Sequence, residues 1–194
     1  MSTQGPITDA GGEIAALVYT ARDRPDLVLC DCAKHLVESG RRVCGLIQLR
    51  DRPPGDARRK LMDLDSWRIV DVARGDDAAG NVRCSVDGDW LYRMARRAEA
   101  SIRVGVDAVI VNRFGPLELA GRGFRNAIVA ASETETPLLI AVPEFEFEHW
   151  TRFSNGMTTR LDCALDPVLE WWHRVASPGA TKPKRDPRAC ELFK

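Results

Sequence analysis

The stretch VDAVIVNRFGPLELAGRG, residues 106–123, runs from an apolar segment into a polar turn and then into a helical pattern. Its first seven residues form a near-continuous apolar run, which predicts a strand covered on both faces. The Gly-Pro pair predicts a turn, and the pattern over 117–133 predicts a helix that contains Gly121 and Gly123. Glycine in a helix interior costs about 1 kcal/mol relative to alanine. We therefore expect close packing or a nearby ligand to offset this cost at both positions.

Other segments of the chain repeat this alternation of strand and helix. Apolar runs that predict buried strands lie at 14–20, 42–49 and 137–142, and helical patterns lie at 25–39, 88–104 and 166–176. Shorter patterns predict a hairpin at 61–73, a helix at 144–152 and a strand at 159–165. We therefore predict an α/β fold: a mostly parallel sheet with helices on both faces, forming a three-layer sandwich with a β-hairpin insertion.

The length of 194 residues suits one domain, which we place at residues 13–176. The composition predicts a flexible N-terminus at 1–12 and a disordered basic tail at 177–194. The 28 basic and 28 acidic residues cancel, so no global field favours nucleic acid or an anionic membrane as a partner. No segment approaches the roughly 20 apolar residues of a membrane span, and we predict a cytoplasmic protein.

Cysteine and histidine spacing gives no indication of a metal site. The six cysteines lack paired C-x-x-C spacing, which argues against a thiolate cluster and against a disulfide framework. The three histidines are scattered and lack the spacing of metal ligands. We therefore predict that no side chains here form a resident metal centre.

The predicted fold brings three polar segments together. In a parallel sheet, ligands bind at the carboxyl ends of the strands, which we call the carboxyl edge. The predicted strands place residues 19–26, 48–52 and 112–118 at that edge. The candidate ligand-binding residues come from the first and third of these segments and from the helix that follows: Thr20, Arg22, Arg24, Asn112, Arg113, Gly115 and Arg122.

The first segment, YTARDRPD (19–26), occupies the position of a phosphate-binding loop. A Walker-type loop needs glycines that let backbone N–H groups surround the phosphates, and a lysine that reaches them. This segment has neither, and its two aspartates would oppose a phosphate. Two interpretations remain open: Thr20, Arg22 and Arg24 hold an oxyanion, or the arginines are simply solvated.

The third segment ends a strand in Asn112 and Arg113, where a metal-dependent NTPase has an aspartate. Asparagine brings no charge for Mg²⁺, so magnesium binding is doubtful. Glu118 is the nearby carboxylate, either as a catalytic residue or as an acid that stabilises the start of a helix. Arg113 and Arg122 add positive charge, which suits planar contacts with an oxyanion.

Several blocks in order, among them GRRVCGLIQ, MDLDSWRIVDVARG and VNRFGPLELAGRG, resemble a bacterial domain-of-unknown-function family. Its members are often encoded near molybdate-transport genes, and some are named molybdenum-transport ATP-binding proteins. The likeness covers about residues 13–162. That family is similar in turn to small thermostable nucleoside-triphosphatases, in which a strand ends in Asp-Glu-x-Gly-x-x-Glu.

The resemblance implies a P-loop-NTPase-like fold and matches Gly115 and Glu118 to the last two residues of that pattern. The two acids of the pattern are Asn112 and Arg113 in this chain, and the Walker lysine is missing. The resemblance therefore implies the fold without implying hydrolysis.

Three functional hypotheses follow. The first is a protein that binds a small anion, either a nucleotide or a molybdate-like oxyanion, on a degenerate NTPase scaffold. The second is a non-enzymatic accessory or regulatory protein of metal-cofactor metabolism, with a protein partner held through the tail at 177–194. The third is a nucleoside-triphosphate hydrolase that uses Glu118. Each is compatible with a homo-oligomer.

Overall fold

The computed structural model describes residues 13–49, 59–72 and 88–176. They form a seven-stranded sheet in the order β4-β3-β2-β5-β6-β1-β7. The strands are β1 Ile14–Tyr19, β2 Val43–Leu49, β3 Arg59–Asp63, β4 Arg68–Val72, β5 Ala108–Asn112, β6 Leu138–Pro143 and β7 Thr159–Asp162. Five of them are parallel, and β3 and β4 add an antiparallel hairpin beside β2. The predicted parallel sheet and its hairpin insertion are confirmed.

Helices cover both faces of this sheet, as predicted. They are α1 Pro25–Glu38, α2 Gly88–Val104, α3 Pro116–Leu119, α4 Arg125–Glu133, α5 Phe147–Phe153 and α6 Leu165–Val175, with a single 3₁₀ turn at Glu144–Glu146. One core lies under α1 and α6 and includes Leu29 and Trp171. The other lies under α2, α4 and α5 and includes Ile128 and Trp150. The three layers form a P-loop-NTPase-like α/β sandwich.

Strand β1 shows why the apolar runs are continuous. All six of its residues are buried, because alternate side chains enter the two cores. Ala15 and Leu17 pack on the side of α1, whereas Ala16 and Val18 pack on the side of α2. A strand that is covered on both faces has no position for a polar side chain except at its ends.

The prediction of one helix over 117–133 is wrong. The chain forms the short helix α3 and then α4, and residues 120–124 connect them. Gly121 and Gly123 lie in this connection with φ of +78° and +58°, a region that glycine enters without steric cost. The two glycines therefore mark a break in the helix and carry no helix-interior penalty.

Some sequence predictions fall on other parts of the chain. The N-terminus at 1–12, the tail at 177–194 and residues 50–52 of the second edge segment lie outside the described residues. Within the described ranges, none of the helices combines the length and the apolar character needed to cross a membrane.

Candidate functional site at the carboxyl edge

The neighbouring strands β1 and β6 form a topological switch point at the carboxyl edge, the position at which an open α/β sheet has its crevice. The chain leaves β1 for α1 on one face of the sheet and leaves β6 for α5 on the other face. Ligands of open α/β sheets bind at such a topological switch point. Tyr19, the last residue of β1, is in register with Pro143, the last residue of β6.

Two side chains at the end of β5 join the three predicted segments. Asn112 donates from Nδ2 to the carbonyl oxygen of Gln48 on β2, at 3.1 Å. Arg113 donates from Nη1 to the hydroxyl of Tyr19 on β1, at 3.5 Å. Because β6 lies between β5 and β1, Arg113 reaches across the end of β6 and borders the crevice. The structure thus brings the described parts of all three segments to one edge.

The loop after β1 is closed by its own aspartate. Oδ2 of Asp23 accepts hydrogen bonds from the backbone N–H and the hydroxyl of Thr20, both at 2.7 Å. The backbone N–H of Arg22 donates to the same hydroxyl at 3.3 Å. An internal carboxylate therefore occupies donors that a phosphate-binding loop would offer to its ligand.

Arg24 is held against the first turn of α1. Its Nε and Nη2 donate to the two carboxylate oxygens of Asp26, at 3.1 and 2.9 Å. Asp26 is only 2% exposed, and a buried carboxylate needs such a partner. Arg24 therefore neutralises Asp26 and fixes how the loop enters the helix, where Pro25 occupies the first turn.

Glu118 is buried within the connection between β5 and α4. Its Oε2 accepts from the backbone N–H of Gly115 and its Oε1 accepts from that of Phe124, both at 3.0 Å. Burial raises the pKa of the Glu118 carboxyl above its ordinary value, although the two N–H groups and the charge of Arg113 oppose this. Both carboxylate oxygens thus serve the local backbone, which is the alternative that the sequence left open.

The carboxyl edge presents three exposed arginines beside the acidic turn Glu144–Glu146 that follows β6. Arg22, Arg113 and Arg122 are exposed, and within the described part of the chain their guanidinium groups form no ion pair. Of the other groups at this edge, Glu144 pairs with Arg160 at 3.5 Å. The exposed Asp162 ends β7 on the far side of β1. Arg22 contacts Thr20 through its backbone, whereas Arg122 touches none of the other candidate residues.

These residues do not fit a magnesium ion. Asn112 is neutral and uses its amide nitrogen on Gln48, and both oxygens of Glu118 already accept hydrogen bonds. Mg²⁺ in phosphate-transfer sites is bound through at least one carboxylate. Among the described residues, no three or more His, Cys, Asp or Glu side chains cluster as metal ligands.

Sequence reasoning missed three participants at this edge: Tyr19, Gln48 and Asp23. Tyr19 and Gln48 lie at strand ends, so their positions were detectable from the strand pattern. Their partners were not, because Gln48 and Asn112 are 64 residues apart and Tyr19 and Arg113 are 94 apart. The spacing of Asp23 from Thr20 is typical of a side chain that closes a local turn.

The fold agrees with comparisons to known proteins. The sequence model of a family described as "Protein of unknown function (DUF2478)" matches residues 14–171. The chain belongs to the DUF2478 family. The match covers β1 to most of α6, so the DUF2478 domain includes every candidate residue at the carboxyl edge.

Two curated proteins are similar to this DUF2478 chain. Molybdenum import ATP-binding protein ModC 2 of Bradyrhizobium diazoefficiens is 31% identical over 166 residues, which cover 84% of this chain and 18% of that protein. Nucleoside-triphosphatase THEP1 of Methanopyrus kandleri is 29% identical over 127 residues, which cover 54% of this chain and 71% of that protein. The chain thus spans less than a fifth of the first relative. No solved structure gives a significant match to the chain.

Proposed function

We propose that the carboxyl edge binds a small anion, either the phosphates of a nucleotide or a molybdate-like oxyanion, without hydrolysing it. The position of Arg113 is the observation that supports this most directly. Its guanidinium group borders the crevice between β1 and β6, is exposed, and has an uncharged partner in Tyr19. A guanidinium placed in this way has donors for a planar, bidentate contact with an oxyanion.

The remaining candidate residues take distinct parts in this proposal. Arg113, Arg22 and Arg122 supply the charge that attracts the anion. Thr20 offers its hydroxyl and N–H when the ligand displaces the carboxylate of Asp23. Asn112, Gly115 and Arg24 position the site, because they fix the end of β5, the start of α3 and the start of α1.

The names of two relatives support the choice of anion in this proposal. One is named for ATP binding in molybdenum import and the other for nucleoside triphosphatase activity. Both names concern oxyanions, and a site with arginines but without a Mg²⁺ carboxylate suits an anion bound without a metal. We propose that the protein is cytoplasmic. We also propose that it acts in molybdenum uptake or metal-cofactor metabolism.

Two alternatives have weaker support. Hydrolysis with Glu118 as the catalytic residue is favoured by the similarity to a nucleoside-triphosphatase, but the carboxylate would first have to release Gly115 or Phe124. An accessory role would use the tail at 177–194 to hold a protein partner, with or without assembly into a homo-oligomer. Neither alternative requires the exposed charge of Arg113.

The test is a binding screen with ATP, GTP, molybdate, tungstate and sulfate, each with and without Mg²⁺. We expect at least one anion to raise the melting temperature without Mg²⁺, and Arg113→Ala to weaken its binding by about 10- to 100-fold. Arg96→Ala is the matched control, because Arg96 is another exposed arginine, which pairs with Glu99 on α2. Equal binding by the two variants would overturn the site.

The same samples distinguish the alternatives. Phosphate release from ATP or GTP that disappears in Glu118→Gln would establish the hydrolase. If no anion binds, and a partner is retained by the full chain and lost when residues 177–194 are removed, the accessory role is correct.

A further inference from the structure

A second concave region lies where the parallel strands begin, at the end of the sheet opposite the carboxyl edge, which we call the amino edge. It is a cavity of about 600 Å³ between the start of β2, the end of α2 and the turn that joins β3 to β4. Small-molecule sites usually measure about 300–1,000 Å³. The cavity is therefore large enough for a ligand with one or two rings, and the anion proposed above does not use it.

Trp67 forms one wall of this cavity in an unfavourable backbone conformation. It is the last residue of the turn between β3 and β4 and has φ of +56°. Glycine or asparagine normally occupies such a position, because a bulky side chain there costs free energy. The residue is nonetheless 39% exposed, so full burial in a core does not offset the cost. Strain of this kind is concentrated at ligand clamps and active sites.

The charge that faces the cavity is positive. Arg41, Arg42 and Arg97 line it with side chains that are 42%, 51% and 46% exposed. Their acidic partners lie deeper: Asp107 is 18% exposed and Asp63 is 8% exposed. The ion pairs to Asp107 are long, at 4.0 and 3.8 Å, and Nη2 of Arg42 donates to the carbonyl oxygen of Gly105. The five N–H donors of each guanidinium group are not all used by these contacts.

The rest of the lining combines apolar walls with a single polar pair. Val43, Val104 and Val106 supply apolar surface next to the indole of Trp67. Ser101 donates from its hydroxyl to Oδ1 of Asp65 at 2.8 Å. Burial is the largest cause that raises the pKa of the Asp65 carboxyl, and the Ser101 hydrogen bond opposes it. The lining thus suits a ligand with an apolar body and one negative group.

We propose that this amino-edge cavity binds a small planar aromatic acid, with the ring against Trp67 and the acid group at Arg41 and Arg42. The apolar walls and the exposed indole select the ring. The guanidinium groups of Arg41 and Arg42, which are more exposed than their partner Asp107, favour a negatively charged group on the ligand. This site lies where the parallel strands begin and the anion site lies where they end, so either can exist without the other.

The experiment uses the full chain and a matched series of probes: 1-naphthylacetate, the uncharged 1-naphthaleneethanol and the cationic 1-naphthylethylamine. We expect calorimetry to show that the acid binds at least tenfold more tightly than the alcohol, and that the amine binds most weakly. Arg41→Gln should remove most of the difference between acid and alcohol. Equal affinities for the acid and the alcohol, or no binding of the acid at millimolar concentration, would overturn the proposal.

Trp67→Gly tests the ring contact without a risk to the fold, because glycine relieves the positive φ. Its affinity for 1-naphthylacetate should fall at least tenfold. Glu135→Gly is the matched control, since Glu135 has φ of +51° and does not line the cavity. Ala100→Leu narrows the cavity from α2 and should also weaken binding, whereas Arg113→Ala should bind 1-naphthylacetate like the natural chain. If Trp67→Gly binds as well as Glu135→Gly does, the aromatic contact is wrong.

Discussion

Glu118 and Gly123 fit together in the connection between β5 and α4. Oε1 of Glu118 accepts the backbone N–H of Phe124 at 3.0 Å, and it can do so because Gly123 has no side chain. A Cβ placed on Gly123 would overlap this oxygen, whereas a Cβ on Gly121 would meet nothing within 4 Å. The carboxylate and the glycine therefore depend on each other.

Gly123→Ala should destabilise the protein more than Gly121→Ala does. Both variants place alanine at positive φ, which costs about 1–2 kcal/mol. Gly123→Ala must also displace the carboxylate of Glu118, which leaves buried N–H groups unpaired at a cost of about 1–3 kcal/mol. Urea denaturation measures both losses in the free energy of unfolding. Equal losses for the two variants would show that the Glu118 contact contributes nothing.

Gly121 and Gly123 also show where the prediction from sequence failed. The expected close packing is present at Gly123, which lies against Glu118, but the helix itself is broken at both glycines. A local pattern does not reveal this, because apolar residues keep a helical spacing on both sides of the break. The deciding interaction is a side chain that reaches the backbone of Phe124 six residues later. Hydrophobic periodicity contains no information about such a contact.

Gly45→Ala should prevent folding or cost more than about 4 kcal/mol, a loss of the size that unrelieved overlap in a core produces. Gly45 lies in β2 with φ of +124°, and an added Cβ would overlap the carbonyl oxygen of Ile110 in the neighbouring strand β5. The obstacle is backbone, so no side chain can turn away. Gly40→Ala is the control: it has φ of +76°, open space around it and an expected loss of about 1–2 kcal/mol. Far-UV circular dichroism and thermal unfolding compare the two variants.

The general layout was accessible from sequence for a physical reason. Strands buried on both faces are continuous apolar runs, and parallel strands place their carboxyl ends together, so the edge segments could be predicted. What each side chain does there could not. The pairing of Arg24 with Asp26 and of Thr20 with Asp23 depends on rotamers and loop geometry that composition does not determine.

Buried thiols should be unreactive in the native protein. Burial raises the pKa of Cys32 to about 12 and raises that of Cys44 further, with Asp65 and Asp63 adding to the effect at Cys44. Since the thiolate is the reactive form, neither should react with a disulfide reagent at pH 8. A variant in which Cys84 and Cys190 are serine should show fast labelling only at the partly exposed Cys163. Mass spectrometry identifies the labelled residue, and rapid native labelling of Cys32 or Cys44 would contradict the burial.

The stability of the protein should fall with rising pH because of Glu118. Its pKa is raised in the folded state above the ordinary value of 4.5, so the folded chain binds more protons than the unfolded chain at pH values above 4.5. The stabilisation is complete below 4.5 and is lost as the pH rises through the folded-state pKa. Glu118→Gln removes this titration. The difference in free energy of unfolding between the natural chain and Glu118→Gln should therefore fall from pH 4 to pH 8, and a rise would contradict the shift.

Tyr19→Phe should weaken anion binding at the carboxyl edge while leaving the fold intact. The hydroxyl of Tyr19 accepts from Nη1 of Arg113, and without it the guanidinium loses the contact that directs it toward the crevice. The bond has a charged donor but is long at 3.5 Å, so we assign it the typical net contribution of about 0.5–1.5 kcal/mol. That corresponds to an affinity loss of about 2- to 13-fold for an anion that the natural chain binds. Tyr92→Phe, on the exposed surface of α2, is the control and should bind normally. If Tyr19→Phe binds as tightly as Tyr92→Phe, Arg113 does not need Tyr19 for its orientation.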